Sequence, residues 1–215
     1  MPARLPVKPI RSRGAGGSRR GSALIELALV LTVALPLLFG ITGVGVRLGR
    51  TVEGTQITRD VAHLYALGTD FSLAGTQAIA RTLAGDFNLT ATGNAVLIFS
   101  RIIVVYQTDC NTAGLQSCPN QGLPVFVQRI VIGNAGLRSS AYGTPPANYI
   151  DTSGNIKSAD YCVQTSLVAQ GFASVLTLAQ SQSAWMVEGY FNMPELDLLS
   201  GGGTQVGGYY VRLVF

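Results

Sequence analysis

Residues 18–50 read SRRGSALIELALVLTVALPLLFGITGVGVRLGR, and the rest of the chain is best understood outward from them. From Leu27 to Val46 there is no charge. At roughly 1.5 Å per residue, a helix of that length covers about 30 Å, the thickness of a bilayer's hydrocarbon core. The flanks are unequal. Arg4, Lys8, Arg11, Arg13, Arg19 and Arg20 precede the apolar run with no acid among them, and Arg47 and Arg50 follow it. Positive charge gathered on the N-terminal side predicts a cytoplasmic leader and a C-terminal body on the far side of the membrane. A secretory signal has an apolar region of about 7–15 residues closed by a small-residue cleavage site. Here the run is longer and no such site follows it, which also argues against reading Ser18-Arg19-Arg20 as a twin-arginine signal.

The 215 residues suit one globular domain plus this extra segment. Charged residues make up only 12% and mean hydropathy is +0.34, which excludes a disordered acidic or basic protein and a charged coiled coil. The six basic residues of the leader exceed the net charge of +4, so the remainder is slightly acidic. The basic balance therefore belongs to the leader and implies no nucleic-acid partner.

Glu26 is the one charge between Ser22 and Val46. A carboxylate inside an apolar helix is costly and usually has a partner. Arg19-Arg20-Gly21-Ser22-Ala23-Leu24-Ile25-Glu26 places a basic pair, a glycine and then an acid five residues on, and this resembles the processing site of type IV prepilins. The residues that follow, Glu26-Leu27-Ala28-Leu29-Val30-Leu31 and Pro36-Leu37-Leu38-Phe39-Gly40, resemble the E-x-A-L-V-L-P-x-L-L-x-x-x-F-G pattern of TadE-like pseudopilins, minor pilins of tight-adherence pili. Pro36 stands later than in that pattern. Ile57-Thr58-Arg59-Asp60-Val61-Ala62 resembles the family's A-A-R-E-A-A segment. Val187-Glu188-Gly189-Tyr190-Phe191 with Pro194 resembles its E-V-x-Y…P strand.

The resemblance implies a structural or assembly subunit of a type IV pilus, cut between Gly21 and Ser22. Ser22 would become the new N-terminus, and Glu26 would neutralise the amine of a neighbouring subunit. It implies a prepilin peptidase, other pilin subunits, an inner-membrane assembly platform and the lipid bilayer as partners. The chain would lie in the inner membrane before assembly and in an extracellular filament after it. Its length favours a minor subunit, although a body this large could itself form a filament surface, so the major role stays open. The alternative from another class is an uncleaved single-pass anchor carrying an extracellular binding domain, which needs neither Gly21 nor Glu26 at those places.

Three regions are expected: a leader at 1–21, a long helix at 22–67 and an extracytoplasmic α+β domain at 68–215. Pro36 should bend the helix. Beyond the membrane Leu48, Val52, Val61, Leu64 and Tyr65 suggest one apolar face, and Gly45 with Gly49 reads equally as a small-xxx-small pair for close helix contact or as a flexible Gly-rich membrane exit. A second helix is expected from Leu73 to Ala84, capped by Ser72 and ended by Gly85. Strands are expected in Ala95–Gln107, Pro124–Gly133, Ala184–Asn192 and Gly208–Phe215, forming an antiparallel sheet of about four strands. Residues 134–165 have no clear period and read as an inserted loop.

Chemistry is sparse. Cys110 and Cys118 flank a short loop, and in an oxidising compartment a disulfide between them is the favoured pairing, with Cys162 left over or replacing one of them. The cysteine spacing does not suit zinc and no histidine lies nearby. The single histidine, His63, sits in a helix with no G-x-S-x-G nucleophile elbow elsewhere. Gly201–Gly207 lacks the Lys-Ser/Thr ending of a phosphate loop and reads as a hairpin turn. Asp109, Asp151, Asp160, Glu195 and Asp197 are scattered, so a calcium loop site is open but has no supporting motif. The sequence therefore points to no enzyme, no cofactor and no resident metal.

Overall fold

The computed structural model describes residues 19–193 and 208–215, with side chains of the first helix from Ala23 onward. The leader before Arg19, and the Gly201–Gly207 segment with Pro194, Glu195 and Asp197, lie outside the described residues. The chain divides into two compact units, Met1–Val46 and Arg47–Phe215. Helix α1 (Arg19–Ala66) belongs to both.

The second unit is α+β. Helix α2 (Ala74–Leu83) follows α1, and four strands form one antiparallel sheet: β1 (Ala95–Val104), β2 (Pro124–Gly133), β3 (Ser183–Phe191) and β4 (Tyr209–Val214), in the order β2-β1-β3-β4. The two interior strands, β1 and β3, have no exposed residue and are mostly buried. Pairing of β1 with β2 runs from Val96 opposite Gly133 to Val104 opposite Pro124, and slips once, after Arg101, so that Val127 is an extra residue. Such a bulge sharpens the local twist of the sheet.

One face of the sheet receives the C-terminal half of α1. Ile57, Val61, Ala62 and Tyr65 recur at helical spacing and pack with Leu97, Phe99, Ile130, Ile132, Val187 and Phe191. Leu48 and Val52, expected on this face, are exposed instead, because the stripe turns out to run through Gly54, Ile57, Thr58, Val61 and Tyr65. Two glycines set how closely helix and sheet approach. A Cβ on Gly54 would lie 2.9 Å from the Phe191 ring, and one on Gly189 would overlap the Thr58 hydroxyl. Thr58 is itself fully buried, with its Oγ1 donating to the Gly54 carbonyl at 2.8 Å. Tyr65 anchors the aromatic centre, edge-on to Phe71, Phe99 and Trp185, and its hydroxyl donates to Gln128 Oε1 at 2.9 Å.

The opposite face is covered by the β2–β3 connection. Tyr142, Ile156, Leu167, Phe172 and Leu178 from it pack on Ile102, Phe126, Ala184 and Met186, making a three-layer domain. This connection runs to Gln182 and holds helix α4 (Ser158–Tyr161) with three short 3-10 turns, so it is ordered well beyond the loop expected at 134–165. Its backbone also closes the free edge of β2. Arg129 N–H donates to Gly154 O at 2.7 Å, Ile156 N–H to Val127 O at 2.9 Å and Ala169 N–H to Pro124 O at 2.8 Å. Over residues 124–129 the edge is thus occupied and closed to a foreign strand.

Two local expectations change. Helix α2 has Leu73 at its N-cap without a side-chain cap, and the Ser72 N–H instead donates to Asp70 Oδ1 at 2.9 Å. The β1–β2 connection contains helix α3 (Gln107–Thr112), for which six residues offered too short a period to detect.

Candidate functional site: an uncovered apolar helix

Residues 23–46 of α1 are apolar on every side. Leu24, Ile25, Leu29, Val33, Phe39 and Ile41 are all more than half exposed, although they point in different directions around the helix. The most apolar 18-residue window has mean hydropathy 2.5 and none of it is buried among the described residues. By length and composition this helix can cross a membrane. A helix apolar all round belongs in a lipid or protein interior.

The polar groups of the segment are quiet. Thr32 Oγ1 donates to Ala28 O at 2.6 Å, and Thr42 Oγ1 donates to Leu38 O at 2.9 Å. Hydroxyls folded back in this way leave no unpaired donor to face hydrocarbon. Helix α1 is continuous through Pro36, which removes one N–H and leaves the Thr32 carbonyl without its intrahelical donor. A Cβ on Gly40, Gly45 or Gly49 would meet nothing within 4 Å, so these small residues face open space.

Glu26 is the exception. It is exposed, and it takes no part in the ion pairs among the described residues, which join Arg50 to Glu53 and Asp86, and Arg129 to Glu188. Gly21 and Ser22 lie in the first turn of α1.

The sulfur atoms of the second unit come together. Cys110, at the end of the first turn of α3, is bridged to Cys118, with Cα atoms 5.8 Å apart. Cys162, directly after α4, is a buried free thiol, and the three sulfurs lie within 4.8 Å of one another. Burial pushes the Cys162 thiol up from its ordinary range, and Asp109 adds to this. His63 is exposed on α1. Asp109 accepts from the Tyr106 N–H at 2.8 Å, and Asp151 accepts from the N–H groups of Ser153 and Asn155, so each acid serves a local turn.

Sequence reasoning missed one feature. Arg129 of β2 and Glu188 of β3 are buried on the face beneath the β2–β3 connection, with Arg129 Nη1 4.0 Å from Glu188 Oε2. Glu188 Oε1 accepts from the Ala141 N–H at 2.9 Å and the Tyr210 hydroxyl at 2.6 Å. Arg129 Nη2 donates to the Gly143 carbonyl at 2.5 Å. Burial lowers the Arg129 pKa to about 10 against the pull of Glu188 and Tyr65, which leaves the guanidinium charged at neutral pH. The pair thus pins the start of the connection to the sheet. The only sequence signal was a charge at an inward position of each of two apolar strands.

No protein-family model, curated protein or solved structure matches this chain.

Proposed function

We propose that the chain is a pilin-like structural subunit of the TadE-like type. It is inserted in the inner membrane through residues 23–46, cut after Gly21 and built into a filament or its tip by that same helix. The supporting observation is an all-round apolar helix, exposed among the described residues, headed by Gly21-Ser22 and by a lone carboxylate at Glu26. Lipid covers such a helix before assembly, and equivalent helices cover it afterwards. In the filament the Ser22 amine of one subunit meets Glu26 of the next. The α+β domain is carried outward as the surface.

Co-expression with a prepilin peptidase tests the reading. The membrane-bound chain is expected to begin at Ser22, and Gly21→Ile to keep the leader while still inserting. In the parent cells, Glu26→Ala and Glu26→Gln are expected to insert and be cut, yet to be missing from sheared filaments. An unpartnered buried charge costs about 3–5 kcal/mol. A wild-type chain that keeps its leader beside an active peptidase would instead favour the uncleaved anchor with an extracellular binding domain.

A further inference from the structure

The bridged sulfurs of Cys110 and Cys118 have a third sulfur beside them in a fixed position. Asn120, two residues after Cys118 and fully buried, holds the two segments together. Its backbone N–H donates to the Cys162 carbonyl at 3.2 Å, and its Nδ2 donates to the carbonyls of Tyr161 and Gln164, each at 2.8 Å. The Cys162 backbone is therefore strapped to the turn that follows Cys118. Around the sulfurs stand Val105, Val125 and Val127, with Ile103, Leu115 and Val168 packed against them.

Two chemistries suit three neighbouring cysteines. A soft metal ion would need several of them as thiolates. The surroundings are apolar, and the charge acting on Cys162 is the carboxylate of Asp109, with the Tyr161 phenol alongside. That environment penalises accumulated negative charge and favours neutral species, one thiol and one disulfide.

We infer that Cys162 is a built-in exchange partner of the Cys110–Cys118 bridge, able to take over Cys118 and so move the cross-link onto the segment after α4. The Cys162 thiol gives up its proton and its sulfur attacks Cys118 Sγ. The Cys118–Cys162 bond forms as the Cys110–Cys118 bond breaks, and Cys110 leaves as the thiolate that takes up the proton. One bond replaces another, so no oxidant or reductant is consumed. The consequence is mechanical. The present bridge closes a loop with a sequence separation of 8, within the β1–β2 connection. The exchanged bridge staples the β2–β3 connection to the β1–β2 connection.

The test is peptide mapping of the full chain in detergent, alkylated after an acid quench and digested without reductant. Cys110→Ser, equilibrated with oxidised glutathione as the two-electron oxidant, is expected to yield the Cys118–Cys162 peptide. The wild type, held with a catalytic trace of thiol, is expected to yield the same peptide as a minor species that Cys162→Ser abolishes. If Cys110→Ser does not fold, as judged by circular dichroism, the wild-type map decides alone. Two free thiols in a folded Cys110→Ser chain, a bound metal ion holding them, or a wild-type map containing only Cys110–Cys118 would overturn the inference.

Discussion

Gly189→Ala is a sharp test of how α1 is seated on the sheet. The added methyl would overlap Thr58 Oγ1 and lie 2.9 Å from Phe191 and 3.2 Å from Val211 Cγ1. None of these neighbours has an easy retreat. Phe191 is fully buried against Phe87, and Thr58 is held by its bond to the Gly54 carbonyl. Overpacking a closed site costs about 1–3 kcal/mol. With a rigid ring on one side and a helix on the other, about 2 kcal/mol is expected here. For a domain of this size that lowers Tm by roughly 4–8 °C. The assay is a double-mutant cycle on the full chain in detergent, unfolded by denaturant and followed by Trp185 fluorescence. Thr58→Ala alone should lose about 2 kcal/mol, about 1 for the buried hydrogen bond and about 0.8 for the buried methyl group. In the Thr58→Ala background the Gly189→Ala penalty should fall by at least about 1 kcal/mol, because the overlapping hydroxyl is gone. Strict additivity, or a neutral Gly189→Ala, would refute the close approach of helix to sheet.

Two further predictions address the buried polar groups. Burial raises the pKa of Tyr65, and burial with the bond to Glu188 raises that of Tyr210, each from an ordinary value of 10.0. Below pH about 10 these groups are neutral in both states. Above it the unfolded chain releases protons that the folded chain retains, so stability falls as pH rises, by up to about 1.4 kcal/mol per pH unit for each group. Tyr65→Phe should lower neutral-pH stability by about 1 kcal/mol and flatten the alkaline slope, as unfolding curves between pH 8 and about 11 would show. An unchanged slope would exclude Tyr65 as its source. Glu188→Ala should lose about 3–5 kcal/mol because it strands the Arg129 charge, and adding Arg129→Met should restore much of the loss. A failure of the second change to rescue would mean that the bonds to Ala141 and Tyr210 carry the effect.

How much of this was legible depended on the length and type of each pattern. Long periodic segments read well. The apolar run after Glu26 and the β-branched run of β2 carry their structure in composition alone, and β2 spans Pro124–Gly133 as expected. The face of α1 beyond Val46 was harder to read. Leu48 and Val52 suggested one stripe, whereas the docked stripe includes Gly54 and Thr58, chosen for small size rather than hydrophobicity. Close packing between a helix and a central strand selects what is missing from a side chain, which hydropathy does not record. The β2–β3 connection was opaque for a related reason. Its order comes from backbone bonds to the edge of β2 and from single anchors such as Tyr142 and Phe172, and neither produces a period. For the candidate site, the Gly21-Ser22 and Glu26 spacing was visible at once, while the Arg129–Glu188 pair depends on register between distant strands.

The change in character along α1 constrains every account of what the chain does. From Arg47 onward the helix is two-sided: Gln56, Arg59, Asp60 and His63 are exposed, while Ile57, Val61 and Tyr65 are buried. That is an ordinary helix at the edge of a globular domain, complete in water. Residues 23–46 have no such polar side and require an apolar cover all round. Lipid and neighbouring helices both provide one, but they treat Glu26 differently. A carboxylate at the centre of a bilayer costs roughly 2.5–3.5 kcal/mol and gains nothing in return. Near the interface it is merely tolerated, and an anchor would be no worse without it. Against the amine of a neighbouring chain the same carboxylate satisfies a buried charge, and its removal leaves that charge unpaired. The sign of the Glu26→Ala effect therefore separates the two covers: harmless or favourable for an anchor in lipid, and damaging only where helices pack together.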